Sequence, residues 1–220
     1  MDHSNLYIHG MGHFHPDNSI DNQFLTDLDI GTNNEWIIER VGIKARRTVL
    51  DLDYIRKTKN ADPKESPKAS THSNVQMGAK SAEMALQRAG LKASDIGMVI
   101  AGGCSAEYSI PAEACMVAAE LGIKAPAYDL NSACSSFAFH MHYLKSMMPD
   151  SLPEYILSIN TEGFTRCIDY SDRRASVLFG DASAATIVSK SKPAGFCIKE
   201  SSVTSEPVSY THLRAHETSI

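Results

Sequence analysis

Asp129-Leu130-Asn131-Ser132-Ala133-Cys134-Ser135-Ser136-Phe137 is the stretch on which the fold turns. Ala127-Tyr128-Asp129-Leu130 reads as a strand running in, and small residues make a sharp turn. Phe137, Met141, Leu144 and Met148 then mark one stripe of a helix over 134–148. The cysteine is thereby placed at a helix amino terminus, where unpaired backbone N–H groups and the helix dipole favour an anion. Such a setting lowers a thiol pKa. Ala133, Ser135 and Ser136 leave room for a carbonyl close to the backbone, and the cysteine's own N–H would donate to an oxyanion. The residues alone leave two readings of Cys134 open, a nucleophile and a buried structural thiol.

The same punctuation extends to both sides. Upstream, Leu6-Tyr7-Ile8-His9-Gly10-Met11-Gly12 reads as a short strand ending in a glycine turn, 35–40 as a helix, and 57–71, with Pro63 and Pro67, as a surface loop. Ser73-Asn74-Val75-Gln76 has the form of a capping box. The helix after it puts Ala79, Ala82, Leu86 and Ala89 on one face and stops at Gly90. Met98-Val99-Ile100-Ala101 is a buried-strand run closed by Gly102-Gly103, and Pro111 suits the first turn of a helix that stops at Gly122. Downstream, Tyr155-Ile156-Leu157-Ser158-Ile159 reads as a strand. Ser176-Val177-Leu178-Phe179 and Ala184-Ala185-Thr186-Ile187-Val188 read as a strand pair turning at Gly180-Asp181. Alternating units of this kind predict an α/β fold, mainly a parallel sheet with helices on both faces.

Composition narrows the function classes. Of 220 residues, 43% are hydrophobic and 21% charged, an ordinary globular balance. No apolar run reaches membrane-spanning length and residues 1–5 are polar, so a soluble, cytoplasmic chain is expected. The net charge of −5, with one short basic segment at 40–47, speaks against nucleic acid and leaves room for a phosphate-bearing ligand. The five cysteines form no CxxC pair, which speaks against zinc. Cys115 reads as a core residue and Cys104 as a loop thiol, while nothing near Cys167 or Cys197 suggests activation. His140 and His142 lie on the helix after Cys134 and turn away from its first-turn donors. His13 and His15 alternate as on a strand, without a third metal ligand in the pattern. Neither metal nor cofactor is expected.

Four segments together resemble the β-ketoacyl-acyl-carrier-protein synthase III family, the thiolase-fold condensing enzymes that initiate fatty-acid synthesis, and their polyketide-type relatives. They are Gly10-Met11-Gly12 with Pro16; Glu35-Trp36-Ile37-Ile38-Glu39-Arg40-Val41-Gly42-Ile43 with Arg46; Ser132-Ala133-Cys134-Ser135-Ser136-Phe137; and Asp169-Tyr170-Ser171-Asp172-Arg173 followed by Leu178-Phe179-Gly180-Asp181. They span most of 5–190, and their order and spacing make the set specific. The resemblance is to the amino-terminal half of the family. It implies two similar α/β halves, each with a five-stranded mixed sheet, in a homodimer. It also implies that Cys134 takes an acyl group from coenzyme A or a carrier protein as a thioester, and that a malonyl carrier then loses carbon dioxide and attacks it. Trp36 resembles the residue that stacks on the adenine of coenzyme A, Arg40 and Arg166 the arginines that flank it, and Thr32 a nearby polar contact.

The chain also departs from the family. The histidine and asparagine that the family draws from its second half have no counterpart in matching context. Gly180-Asp181-Ala182-Ser183 stands where the family usually has Gly-Asp-Gly-Ala, so a tight turn there would be strained by Ala182; Asp181 reads as structural. Residues 203–220 are polar and aperiodic and are expected to be disordered. Residues 209–218 resemble translated adapter sequence, and a break at about Pro207 divides the chain into 1–206, the thiolase-like half, and 207–220, a tail foreign to the family. Rival readings are a condensing enzyme that joins thioesters without decarboxylation or makes dialkylresorcinol or aryl-polyene products, and a catalytically silent partner subunit.

Overall fold

The computed structural model describes residues 5–203. Its helices and strands are, in chain order, β1 (Leu6–Phe14), β2 (Ser19–Asp21), α1 (Asn22–Asp27), α2 (Asn34–Arg40), β3 (Ala45–Arg47), α3 (Leu52–Thr58), α4 (Asn74–Ala89), β4 (Met98–Ala101), α5 (Glu113–Glu120), β5 (Ala127–Asp129), α6 (Ser136–Ser146), β6 (Ile156–Glu162), α7 (Arg173–Ser176), β7 (Ala182–Ser189) and β8 (Phe196–Ile198). Among the described residues, one mixed sheet of six strands has the order β5-β4-β6-β7-β1-β8, and β2 pairs with β3 in a small second sheet. β4 is parallel to β5 and β6, whereas the β6–β7, β7–β1 and β1–β8 pairs are antiparallel. The family resemblance implied five strands; the short edge strand β8 makes the sixth.

Side chains of β4 and β6 alternate between two apolar layers, as the two-residue period of a strand requires. Val99, Ala101, Leu157 and Ile159 pack with Ala82, Ala85, Leu86 and Val117 of α4 and α5. Met98, Ile100 and Ile156 pack on the other face with Met141 and Leu144 of α6. A sheet covered on both faces explains why Met98-Val99-Ile100-Ala101 is apolar without alternation. A third cluster joins Phe24, Leu25, Ile37 and Ile55 to Ile168, Tyr170 and Val177, and so fixes the segment that carries Trp36.

The capping box at Ser73 is complete in both directions, and Gly90 ends α4 at φ 68°. The glycine turn expected at Gly12 is absent, because β1 continues to Phe14. Gly10 and Gly12 serve a close approach instead. A Cβ at Gly12 would lie 2.0 Å from the Ser81 carbonyl oxygen, and one at Gly10 2.2 Å from that of Ala85, where α4 crosses the strand.

The expected strand pair at 176–188 is half right. β7 forms, but 177–181 run along the β3 segment instead of folding back on β7. Arg46 Nε donates to the Val177 carbonyl at 2.9 Å, and the Asp181 N–H to that of Arg47 at 2.8 Å. Ala182 accordingly opens a strand and is not among the positive-φ residues, so the missing glycine costs nothing there. Residues 57–71 contain a 3-10 helix, Pro63–Ala69, rather than only a loop. The boundary at 206/207 and almost all of the expected disordered tail lie outside the described residues.

Candidate active site

β5 ends at Asp129, and the chain bends through a 3-10 turn, Ala133–Ser135, into α6. Cys134 sits in that turn, exposed, two residues before the α-helix begins. The helix expected from 134 therefore starts later, and the thiol stands at its mouth. Ala133 has φ 45°, a left-handed conformation that costs a non-glycine residue roughly 1–2 kcal/mol. Serine hydroxyls hold the bend. Ser136 Oγ donates to the Ala133 carbonyl at 2.7 Å and accepts the Ser132 N–H at 2.9 Å, while Ser135 Oγ donates to the Ser132 carbonyl at 2.7 Å.

His140 braces the turn from below. Its Nε2 lies 2.8 Å from the Leu130 carbonyl oxygen and its Nδ1 2.8 Å from Ser158 Oγ. The ring is fully buried, and that burial lowers its pKa against the opposing pull of the Leu130 carbonyl and Asp129. Bonded to Leu130 on one side and Ser158 on the other, it is a brace rather than a free helix-face residue.

The loop after β4 lies against the same turn. The Gly103 N–H donates to Asn131 Oδ1 at 3.0 Å, and Asn160 Nδ2 to the Gly102 carbonyl at 2.9 Å. Glu162 collects the next residues: Oε1 accepts the Cys104 N–H at 2.8 Å and its S–H at 3.3 Å, and Oε2 the Ser105 hydroxyl at 2.5 Å. Behind them is a buried polar network. Asn74 Nδ2 donates to the Ser105 carbonyl at 2.9 Å and to Glu113 Oε2 at 3.0 Å, and Asp129 accepts the Glu113 and Ala114 N–H groups at 2.8 Å each. Burial is the main cause that pushes the Glu113 carboxyl up to about 7; the Asn74 hydrogen bond opposes it, and the charges of Asp129, Glu107 and Glu162 add to it.

The four residues expected to bind substrate do not all meet. Trp36, half-buried on α2, carries the Arg40 guanidinium 5.2 Å from its ring centroid and that of Arg173 at 4.9 Å. Arg173 Nη1 also donates to the Gly31 carbonyl, next to Thr32. Thr32 Oγ1 is buried without a hydrogen-bond partner. Thr32, Trp36 and Arg40 thus share a patch with Arg173, and Arg166 is not part of it. Arg166 is buried, ion-paired with Glu107 and bonded to Asn74 Oδ1, so its donors are committed to the network behind the loop. Arg173 stands in one of the segments that carried the resemblance, but only the folded chain shows which arginine reaches the indole.

Asp181 is buried and structural. Its carboxylate accepts the Val49 N–H at 2.7 Å and the Thr165 N–H at 2.8 Å, and burial raises its pKa against those bonds. The His13 and His15 rings are 5.3 Å apart, and among the described residues no three His, Cys, Asp or Glu side chains gather to hold a metal ion. Cys115, expected in the core, is exposed on α5, its Sγ 3.2 Å from the Ala127 carbonyl. No helix among the described residues is long and apolar enough to cross a membrane.

The family model for 3-oxoacyl-[acyl-carrier-protein] synthase III matches residues 128–207, which begin at the strand before Cys134. A β-ketoacyl-[acyl-carrier-protein] synthase III of Clostridium botulinum (strain Langeland) is 33% identical over 87% of this chain and 53% of its own length; one of a Sulfurovum species is 31% identical over 81% and 47%. Among solved structures, the synthase III of Aquifex aeolicus superposes with a TM-score of 0.71 at 28% identity, over 85% of this chain and 54% of that one. The Thermus thermophilus synthase III gives 0.69 at 27%, over 84% and 52%. The chain spans about half the length of the curated relatives it matches. Through these matches and the thiolase-type fold around Cys134, the chain is similar to the β-ketoacyl-acyl-carrier-protein synthase III family over about half the length of its members.

Proposed function

We propose that Cys134 is the nucleophile of a condensing acyltransferase that works in fatty-acid or polyketide-type synthesis, and that this chain carries the acylation half of its site. The Cys134 thiolate attacks the carbonyl of an acyl thioester, the carbonyl oxygen takes the negative charge, and the coenzyme A thiolate leaves. N–H groups at the start of α6 stabilise that oxyanion, and the fixed turn spares the site a rearrangement as charge develops. A malonyl group on an acyl carrier protein then loses carbon dioxide, and its carbanion attacks the Cys134 thioester and frees the thiolate. No cofactor enters beyond the thioester substrates. The family resemblance implies a histidine and an asparagine in that second step, and the chain spans about half the length of the curated relatives it matches. The whole protein is read as a cytoplasmic homodimer, and this chain as competent at most for slow acylation.

One observation carries the reading: an exposed thiol on a strained strand-to-helix turn whose bend is fixed by serines. The same exposure tells against a silent partner subunit, which has no use for a presented thiol. The Trp36 patch is assigned to the coenzyme A nucleotide, with the adenine on the indole and the two guanidinium groups beside it. The test is mass spectrometry of the chain after incubation with short-chain acyl-coenzyme A. A thioester on the Cys134 peptide is expected, and acyl label on another cysteine with none on Cys134 would defeat the assignment.

A further inference from the structure

The loop beside the nucleophile turn carries a second thiol. Cys104 follows Gly102-Gly103, and that loop is in contact with the turn. The Gly103 N–H donates to Asn131, and a Cβ at Gly102 would lie 2.7 Å from the Leu130 carbonyl oxygen and 2.8 Å from Ser136 Cβ. Both cysteines are exposed. The Cys104 sulfur is oriented by Glu162, which accepts its S–H at 3.3 Å and its backbone N–H at 2.8 Å.

We propose that Cys104 is a resolving thiol for Cys134: in the presence of a peroxide the two close an intramolecular disulfide that withdraws the nucleophile reversibly. In the first step the Cys134 thiolate sulfur attacks one peroxide oxygen, the O–O bond breaks and hydroxide leaves. The sulfur is oxidised by two electrons to the sulfenic acid, and the peroxide is reduced. In the second step the Cys104 sulfur attacks the sulfenic sulfur, the S–O bond breaks, and hydroxide departs. Glu162 takes the Cys104 proton and passes it to that hydroxide, giving water.

The two thiols have different roles because their surroundings differ. Desolvation first, then the hydrogen bond to the Glu162 carboxylate and its charge, push the Cys104 thiol up to about 11, and Cys134 and Cys167 act in the same direction. Cys104 therefore stays protonated and is the poorer target for peroxide. Cys167, which like Cys134 acts on the Cys104 thiol, is the competing partner. The proposal rests on the reading of Cys134 as a reactive thiol, but it involves no acyl group.

The experiment is peroxide treatment of the 220-residue chain, alkylation of the remaining thiols, and digestion without reductant. The expected product joins the Cys104 and Cys134 peptides with the loss of two hydrogens. Alkylation of Cys134 is lost and dithiothreitol restores it. In Cys104→Ser, oxidation of Cys134 runs on to the sulfinic acid, which dithiothreitol does not reverse. Sulfinic acid at Cys134 of the unsubstituted chain with Cys104 still alkylatable, a Cys104–Cys167 link instead, or an unoxidised Cys134 overturns the proposal. Acylation assayed on the reduced chain separates the two readings, since a chain that acylates but forms no disulfide refutes only the resolving role.

Discussion

At the scale of single residues, Ala133 and Glu113 show the site holding unfavourable groups in place. Ala133→Gly relieves the positive φ, and the flexibility that glycine adds to the unfolded chain offsets part of the gain. We expect stability to rise by no more than about 1 kcal/mol while Cys134 acylates more slowly, because the turn loosens. Denaturant midpoints and acylation rates measured together check this; faster acylation would show that the strain does not serve the thiol. Glu113 makes a pH prediction. Its carboxyl moves from an ordinary 4.5 to about 7, so between those values the folded chain keeps a proton that the unfolded chain has released. Stability contributed by this group is therefore lost as pH rises across that window, by on the order of 3 kcal/mol. Glu113→Gln keeps an acceptor for Asn74 and cannot ionise. Urea unfolding at pH 5 and pH 8 should show a smaller fall for the variant than for the parent chain, and equal falls would place the titration elsewhere.

At the scale of elements, helix packing and the nucleotide patch make separate predictions. Gly12→Ala forces a methyl group against the Ser81 carbonyl of α4, a backbone atom that cannot swing aside. A loss of about 3 kcal/mol in unfolding free energy is expected; a loss below about 1 kcal/mol would mean that α4 and β1 approach less closely. The arginines divide by element. Arg173→Ala and Trp36→Ala remove the flank and the platform of the patch, and each should weaken coenzyme A binding roughly tenfold without unfolding the chain. Arg166→Ala instead strands Glu107 and Asn74, and should cost about 3 kcal/mol of stability. Calorimetric titration with coenzyme A beside thermal unfolding distinguishes the cases, and Arg166→Ala that binds poorly yet stays fully stable would return that residue to the patch.

At the scale of the whole molecule, legibility followed the range of the interactions. The α4 capping box, the Gly90 stop and the turn at Cys134 are set by neighbours a few residues apart, and all three could be read from spacing. The role of Gly10 and Gly12 could not, because it depends on a helix more than sixty residues away. The path of 177–181 depends likewise on Arg46 and Val49, and the choice between Arg166 and Arg173 on which guanidinium meets Trp36 after folding. Cys104 was legible as a loop thiol, but its partner Glu162 lies at the end of another strand.

What these scales share is a thiol presented at the start of α6. The rate at which each of the five cysteines reacts with iodoacetamide near neutral pH, followed peptide by peptide in the reduced chain, tests it most directly. Cys134 should react at least about tenfold faster than Cys104, which is also exposed but is held protonated beside Glu162. A Cys134 that reacts no faster than Cys104 or Cys115 would contradict its assignment as the nucleophile.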